Sequence, residues 1–340
     1  MKLKTLFLAG AAMLLASAAQ AAENKTLERI RDRGLVVCGT DLSTKALAYK
    51  DDADFWQGID AAICRNFAMA IFDNENAFEL EDIHMDKAST AIKTGKIDIM
   101  LGSENLTASQ ELAANLTPAA VVYYDRLVFA TREQTEATSM EEFKGAKVCA
   151  LSNSADLERL KEYNNKYAMG FKFLPFSGVN ELKQAFFLNR CTLAGGGETY
   201  LRGLKDTLIA KNSHITILPE EVDYRPVLAY TAKDDATFRL TAKQIINAPI
   251  LAEEYGISSK NTDTFIGVRD ASVKNLLGIS PQLWQRFGLQ PKWVLNAIKI
   301  NGNFGEMYER NLGNESQLGI EKGRNKPISE GGILEAQPFI

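Results

Sequence analysis

The stretch Ile97–Asp125 reads IDIMLGSENLTASQELAANLTPAAVVYYD. It opens on an apolar strand, Ile97–Leu101, and closes on Tyr-Tyr-Asp at the head of an extended segment, Tyr124–Thr131. Strand and helix patterns alternate before it. A helix ending at Gly34 leads to the strand Leu35–Cys38, a helix with apolar positions at Ile59, Ile63, Phe67 and Ala70 follows, then a strand near Phe78–Leu80 and a helix Lys87–Thr94. That alternation predicts a mostly parallel sheet wrapped by helices.

After Thr131 the pattern restarts: strand Lys147–Leu151, a helix from Ala155, strand Phe171–Leu174, helix Val179–Asn189 and strand Thr192–Ala194. A second extended segment, Tyr224–Thr231, precedes a helix-rich remainder that begins with Asp235–Tyr255 and has no strand pattern of its own. The expected architecture is therefore α/β in two lobes crossed twice by extended segments, with a hinge at the crossings and a cleft between the lobes. Residues 22–128 and 229–340 form lobe 1 with its C-terminal helical extension, and 129–228 form lobe 2. The tail Asn311–Ile340, rich in Gly, Asn and Glu, is expected to lie extended across lobe 1.

Residues 1–21 carry Lys2 and Lys4, an apolar run Leu6–Ala18 and the small-x-small triplet Ala19-Gln20-Ala21, the layout of a cleavable signal peptide. The apolar run is too short to span a bilayer, so export to the periplasm is expected rather than anchoring. A net charge of −4 with no basic run argues against a nucleic-acid partner. Four cysteines entering an oxidising compartment favour disulfides, with three connectivities open. Cys38–Cys64 with Cys149–Cys191 is the preferred set because it keeps each bridge within one half of the chain. There is no CxxC, and only His84 and His214 are present to complete a metal site, so neither a metal nor another cofactor is expected. The triglycine Gly195–Gly197 lacks the Gly-Lys-Ser/Thr of a phosphate loop and suits close backbone approach instead.

An ordered set of short motifs then gives a resemblance. Thr26–Gly34 followed by Val37-Cys38-Gly39, Trp56–Asp60 before Cys64, Gly95–Asp98, Tyr123–Asp125, Lys144–Cys149 and Gly302–Glu306 together resemble the periplasmic substrate-binding proteins of polar and general L-amino-acid ABC transporters, solute-binding protein family 3. The likeness covers nearly the whole mature chain, and the four cysteines fall where the general L-amino-acid branch carries them. It implies the type II two-lobe fold, closure over a small polar solute, a membrane ABC permease as partner, and a monomer without cofactor.

In that family an Arg in a Thr-x-Thr-x-x-Arg segment clamps the ligand carboxylate, hydroxyls and amides at a lobe 2 helix start assist, and a lobe 2 Asp takes the ammonium. Carried over position by position, the segment becomes Asn105, Thr107 and Gln110. The lobe 2 loop becomes Ser152, Asn153 and Ser154, and the acidic position becomes Gly197 with Glu198 beside it. Trp56 falls at a position that packs beside the cleft, for core packing or ligand stacking. Both charged anchors of the family are thus replaced. Charge from elsewhere (Lys45 or Lys50 for an anion, Glu104, Glu111 or Glu198 for a cation), a ligand other than an α-amino acid, and a receptor acting in signalling through protein contacts are the competing consequences. A dehydratase-like enzyme on the same fold would need Glu104 or Glu198 as general acid, without a Ser-His-Asp, Cys-His or metal constellation to support it.

Overall fold

The computed structural model describes residues 25–45, 47–102, 106–132, 139–152, 154–204, 215–280 and 282–339. Asn105, Glu104, Asn153, His214 and the expected signal peptide lie outside these residues. Helix α1 (Lys25–Arg33) buries Leu27 and Ile30, and Gly34, at φ 82, ends it in the left-handed region that favours glycine. The Thr26 N–H near its start is satisfied by Asp235 Oδ2 at 3.0 Å, a contact from far along the chain.

Strand β1 (Val36–Thr40) pairs in parallel with β4 (Phe78–Asp82) and β5 (Ile99–Leu101), joined through a small hairpin, β2 (Tyr49–Lys50) and β3 (Trp56–Gln57), and helices α2 (Ile59–Phe72) and α3 (Met85–Lys93). Helix α4 (Ala108–Ala114) then leads into a 16-residue strand, β6 (Leu116–Thr131). Lobe 2 follows: β7 (Lys147–Leu151), α5 (Ala155–Lys166), β8 (Lys172–Phe176), α6 (Val179–Phe187), β9 (Leu193–Gly197) and the short α7 (Glu198–Gly203). The chain returns along the 17-residue β10 (Thr216–Ala232) into α8 (Ala236–Glu254), α9 (Ala271–Leu276), α10 (Gln282–Arg286), α11 (Trp293–Asn301) and α12 (Phe304–Asn311).

The crossing strands are longer than the sequence pattern predicts. They pair antiparallel along almost their whole length, from Leu116 opposite Ala232 to Thr131 opposite Thr216, with four register irregularities. The two lobe sheets therefore merge into one eight-stranded sheet ordered β4-β1-β5-β10-β6-β9-β7-β8. Beyond the crossing strands it is parallel within each lobe, while β10 joins β5 and β6 joins β9 in antiparallel fashion.

Each half of this sheet is covered on both faces, as parallel strands require. In lobe 1 one face packs on α2, α8 and α11 around Phe67, Ile245, Trp284 and Trp293, and the other on α3 around Ala88, Ile92 and Met100. Lobe 2 has one core around Phe129, Leu160 and Phe171 and another around Leu182, Phe186 and Leu201. The helix-rich remainder thus packs on lobe 1. Leu127 and Val128 belong to lobe 2 cores and Val227 to the lobe 1 core, so the cores change over slightly earlier in the chain than residues 129 and 229.

Disulfides join Cys38 to Cys64, tying β1 to α2, and Cys149 to Cys191, tying β7 to the loop before β9, with Cα separations of 6.2 and 5.7 Å. The C-terminal tail is folded onto lobe 1, where Phe339 packs on Trp284 with ring centroids 4.7 Å apart. No helix of the described residues is long and apolar enough to cross a membrane.

Candidate cleft between the lobes

The crossing strands place two opposite charges at their midpoint. Asp125 on β6 and Arg225 on β10 are direct cross-strand partners. Both are nearly inaccessible, at 3% of their full exposure, and Arg225 Nη2 lies 3.2 Å from Asp125 Oδ2. Arg225 Nε reaches Asp156 Oδ2 at 3.3 Å on the first turn of α5, so one guanidinium joins the hinge to a lobe 2 helix. The other oxygen of Asp125 accepts the Thr199 N–H at 3.2 Å, near the start of α7. Burial pushes the Asp125 carboxyl up to about 6, against the opposing pull of Arg225.

Gly197 makes this pair possible. A Cβ there would collide with Arg225 Nη2 and Asp125 Oδ2. Gly195 and Gly196 are close-packed as well, less tightly: a Cβ at the first would meet Leu160 at 2.7 Å and at the second the Tyr200 ring at 3.2 Å. The triglycine is thus a wall against which side chains pack.

Arg225 and the three glycines line a cavity with Ala150, Leu151, Ser154, Asp156, Val179 and Tyr200 from lobe 2 and Asp41 and Thr44 from lobe 1. These residues gather at the carboxyl ends of β1, β7 and β9, where an open α/β sheet forms its crevice. About 30 Å³ of it is open, room for a water molecule or two. Thr44 is in fact the nearest neighbour that a Cβ on Gly203 would meet, at 3.2 Å.

The lobe 1 wall carries further acid. Asp41 Oδ1 accepts the Ser43 N–H at 2.8 Å, and its other oxygen lies 3.5 Å from His84 Nδ1. Beneath it, Asp60 is buried at the start of α2 with Thr40 Oγ1 donating to it at 2.5 Å. Burial pushes the Asp60 carboxyl up to about 7, with Asp41 adding to the shift and Thr40 opposing it.

The structure brings together only some of the residues named from sequence. Ser154 and Gly197 line the cavity, and Ser154 Oγ also caps α5 by accepting the Leu157 N–H at 3.2 Å. Ser152 follows the end of β7, its N–H donating to Phe176 O, and does not line the cavity. Thr107 and Gln110 form a capping box at the start of α4: Thr107 N–H donates to Gln110 Oε1 at 2.8 Å and Gln110 N–H to Thr107 Oγ1 at 3.4 Å. Thr107 faces α5 across a wider opening that adjoins the cavity at Ala155.

Two further residues named from sequence do not line the cavity. Glu198 is fully buried and held by Arg126 Nε and Arg202 Nε, each at 2.7 Å. Burial raises its pKa, but the two guanidinium hydrogen bonds outweigh it and hold the carboxyl below its ordinary value. It is the centre of an internal ion pair with two arginines. Trp56 lies on the β2–β3 hairpin with Nε1 3.3 Å from Glu79 Oε2 and the Lys50 ammonium 5.2 Å from its ring centre, away from the cavity. Lys50 also pairs with Asp54 at 3.0 Å, and Lys45 and Glu111 do not line the cavity either.

Arg225, Asp125, Asp156 and Asp41 went unread in sequence. One signal was present: the two crossing segments open on Tyr124-Asp125 and Tyr224-Arg225, a matched pair of opposite charges. Asp156 reads as ordinary first-turn acid on a helix. Among the described residues no group of three or more His, Cys, Asp or Glu side chains is placed to hold a metal ion.

No protein-family model matches the chain. The general L-amino acid-binding periplasmic protein AapJ of Rhizobium johnstonii is 30% identical over 344 residues, covering 99% of each chain. The chain belongs to the periplasmic amino-acid-binding proteins of ABC transporters. A second member, the glutamate/glutamine/aspartate/asparagine-binding protein BztA of Rhodobacter capsulatus, is 26% identical over 331 residues, 97% of this chain and 98% of that one. Among solved structures, an ABC transporter periplasmic binding protein from Brucella ovis with glutathione bound superposes with a TM-score of 0.84 at 26% identity, over 92% of this chain and 98% of that one. These amino-acid-binding relatives are transport components and not enzymes, which removes the dehydratase alternative for this member of the family.

Proposed function

We propose that this chain captures a small polar, amino-acid-like solute in the cavity at the hinge and presents the closed form to an inner-membrane ABC permease. The observation that carries the reading is the cavity itself: residues of both lobes enclose it, and charges of both signs line it, the buried Arg225 and Asp41 and the partly buried Asp156. Asp41 and Thr44 from lobe 1 and Ser154, Gly197, Asp156 and Arg225 from lobe 2 and the hinge are the proposed contacts. Thr107 stands at the wider opening, and Gln110 and Asn105 are kept as proposed contacts on the family resemblance alone. We assign residues 1–21 as a signal peptide removed on export, 22–128 with 229–340 as lobe 1, 129–228 as lobe 2, and the working form as a monomer without a nucleic-acid partner.

A thermal-shift series with amino acids, amines and small peptides tests the reading. A ligand of the native state raises the melting temperature by mass action, so a solute at a hundred times its Kd adds about 2.7 kcal/mol. At least one solute should stabilise the protein at millimolar concentration, and Asp41→Asn in the lobe 1 wall should weaken that shift. Absence of any shift across the series would remove small-solute transport and leave a receptor that acts through protein contacts.

A further inference from the structure

We infer that the cleft selects solutes that carry a positive charge, an ammonium or guanidinium group on an aliphatic body, over acidic ones. This rests on the cleft being the solute site and adds the charge class of what it takes. The cavity is lined by two carboxylates, Asp41 and Asp156, and by one cation, Arg225, among the described residues. A third carboxylate, Asp125, lies directly behind the cation, buried and in contact with it.

Arg225 is therefore balanced before any solute arrives. Its Nη2 faces Asp125 and its Nε faces Asp156, at 3.2 and 3.3 Å. Two carboxylates on one guanidinium already leave a negative excess in a site shielded from water, where Coulomb interactions are several times stronger than in bulk solvent. Asp41 adds to that excess from the opposite lobe; its ion-pair contact among the described residues is His84, at 3.5 Å, whose imidazole is largely exposed. A solute cation between Asp41 and Asp156 would draw the two lobes together. A second carboxylate in the same place would meet acid on both walls.

The neighbouring opening has the same polarity. It is lined by Glu158, Glu162 and Asp223 against Arg159, which pairs with Asp223, while Lys161 Nζ holds Glu158 from the same helix at 2.7 Å. An acidic approach raises the local concentration of cations and the rate at which they enter. The remaining wall is apolar, formed by Leu151, Val179 and the Tyr200 ring over the glycine backbone, which suits a hydrocarbon stem behind the charged group.

Calorimetric titration of the purified protein with arginine, lysine, putrescine, alanine, glutamate and glutathione tests this. Arginine, lysine or putrescine should bind at least ten-fold tighter than glutamate. Asp156→Asn and Asp41→Asn should each weaken the cationic solutes by ten-fold or more and narrow that preference, with circular dichroism confirming that each variant is folded. The wild-type comparison stands on its own if a variant does not fold. Glutamate or glutathione binding as tightly as the cationic solutes would overturn the charge selection while leaving the cleft as the solute site. No binding by any of the six would overturn both.

Discussion

Asp60 shows how a single residue carries a pH dependence for the whole domain. Its carboxyl is buried beneath the cleft and pushed up to about 7 from an ordinary 3.8, chiefly by loss of water. A raised carboxyl favours the folded state in its neutral form, so its contribution is complete below about pH 4 and lost as pH climbs through about 7. Asp60→Asn keeps an acceptor for Thr40 and removes the titration. Relative to the parent, the variant should gain on the order of 1 kcal/mol in unfolding free energy for each pH unit between 5 and 7. Urea denaturation at several pH values reads this directly, and a difference that stays constant with pH would contradict the assignment. Glu198 obeys the opposite rule: two arginines overcome its burial, so charge is its resting form. Burial alone does not decide ionisation; the count of donors does.

Between elements, the clearest device is the tail against the hinge. Asn325 copies a β-strand partner: its Nδ2 donates to Tyr124 O at 2.8 Å and its Oδ1 accepts the Tyr124 N–H at 2.7 Å. Tyr124 lies opposite Pro226, which has no N–H to offer, and β9 joins β6 only from Leu127 onward. The neighbouring Arg324 stacks on Tyr224 of the other crossing strand, 4.2 Å from the ring centre, and stands 3.9 Å from Glu221. Lys322 pairs with Glu253 on α8, so the tail is anchored in lobe 1 and touches both hinge strands. Asn325→Ala strands a partly buried backbone donor and acceptor and should cost about 1–3 kcal/mol in chemical denaturation. Arg324→Ala removes a half-exposed contact and should cost about 1 kcal/mol or less. Equal costs for the two variants would show that the backbone pairing is not what holds the tail.

For the molecule as a whole, each disulfide staples one lobe and neither crosses the cleft. Chain-entropy arithmetic for loops of 26 and 42 residues gives each about 4 kcal/mol against the unfolded state. Non-reducing peptide mapping should recover Cys38–Cys64 and Cys149–Cys191, and a fragment that joined the two sets would contradict the division into lobes. Much of this architecture was legible beforehand. Alternating strand and helix periods marked the two α/β units, Tyr124–Thr131 and Tyr224–Thr231 marked the crossings, and the lack of strand pattern after Thr231 returned the last helices to lobe 1. The length of the crossing strands was hidden, because Pro118, Pro219 and Pro226 break the period on which strand recognition depends.

The site divides the same way. From sequence, the family resemblance implies Gln110 and Gly197 in place of the usual charges, and Ser154 reads as a helix start, as the structure has it. Only the tertiary structure decided where charge returns. Asp125 and Arg225 are a hundred residues apart in the chain and meet because antiparallel register sets them side by side. Gly197 matters for what it leaves room for: the guanidinium passes through the space its missing side chain would fill. Periodicity and motif spacing report on neighbours along the chain, whereas the charge of a cleft is set by which strands pair and in what register.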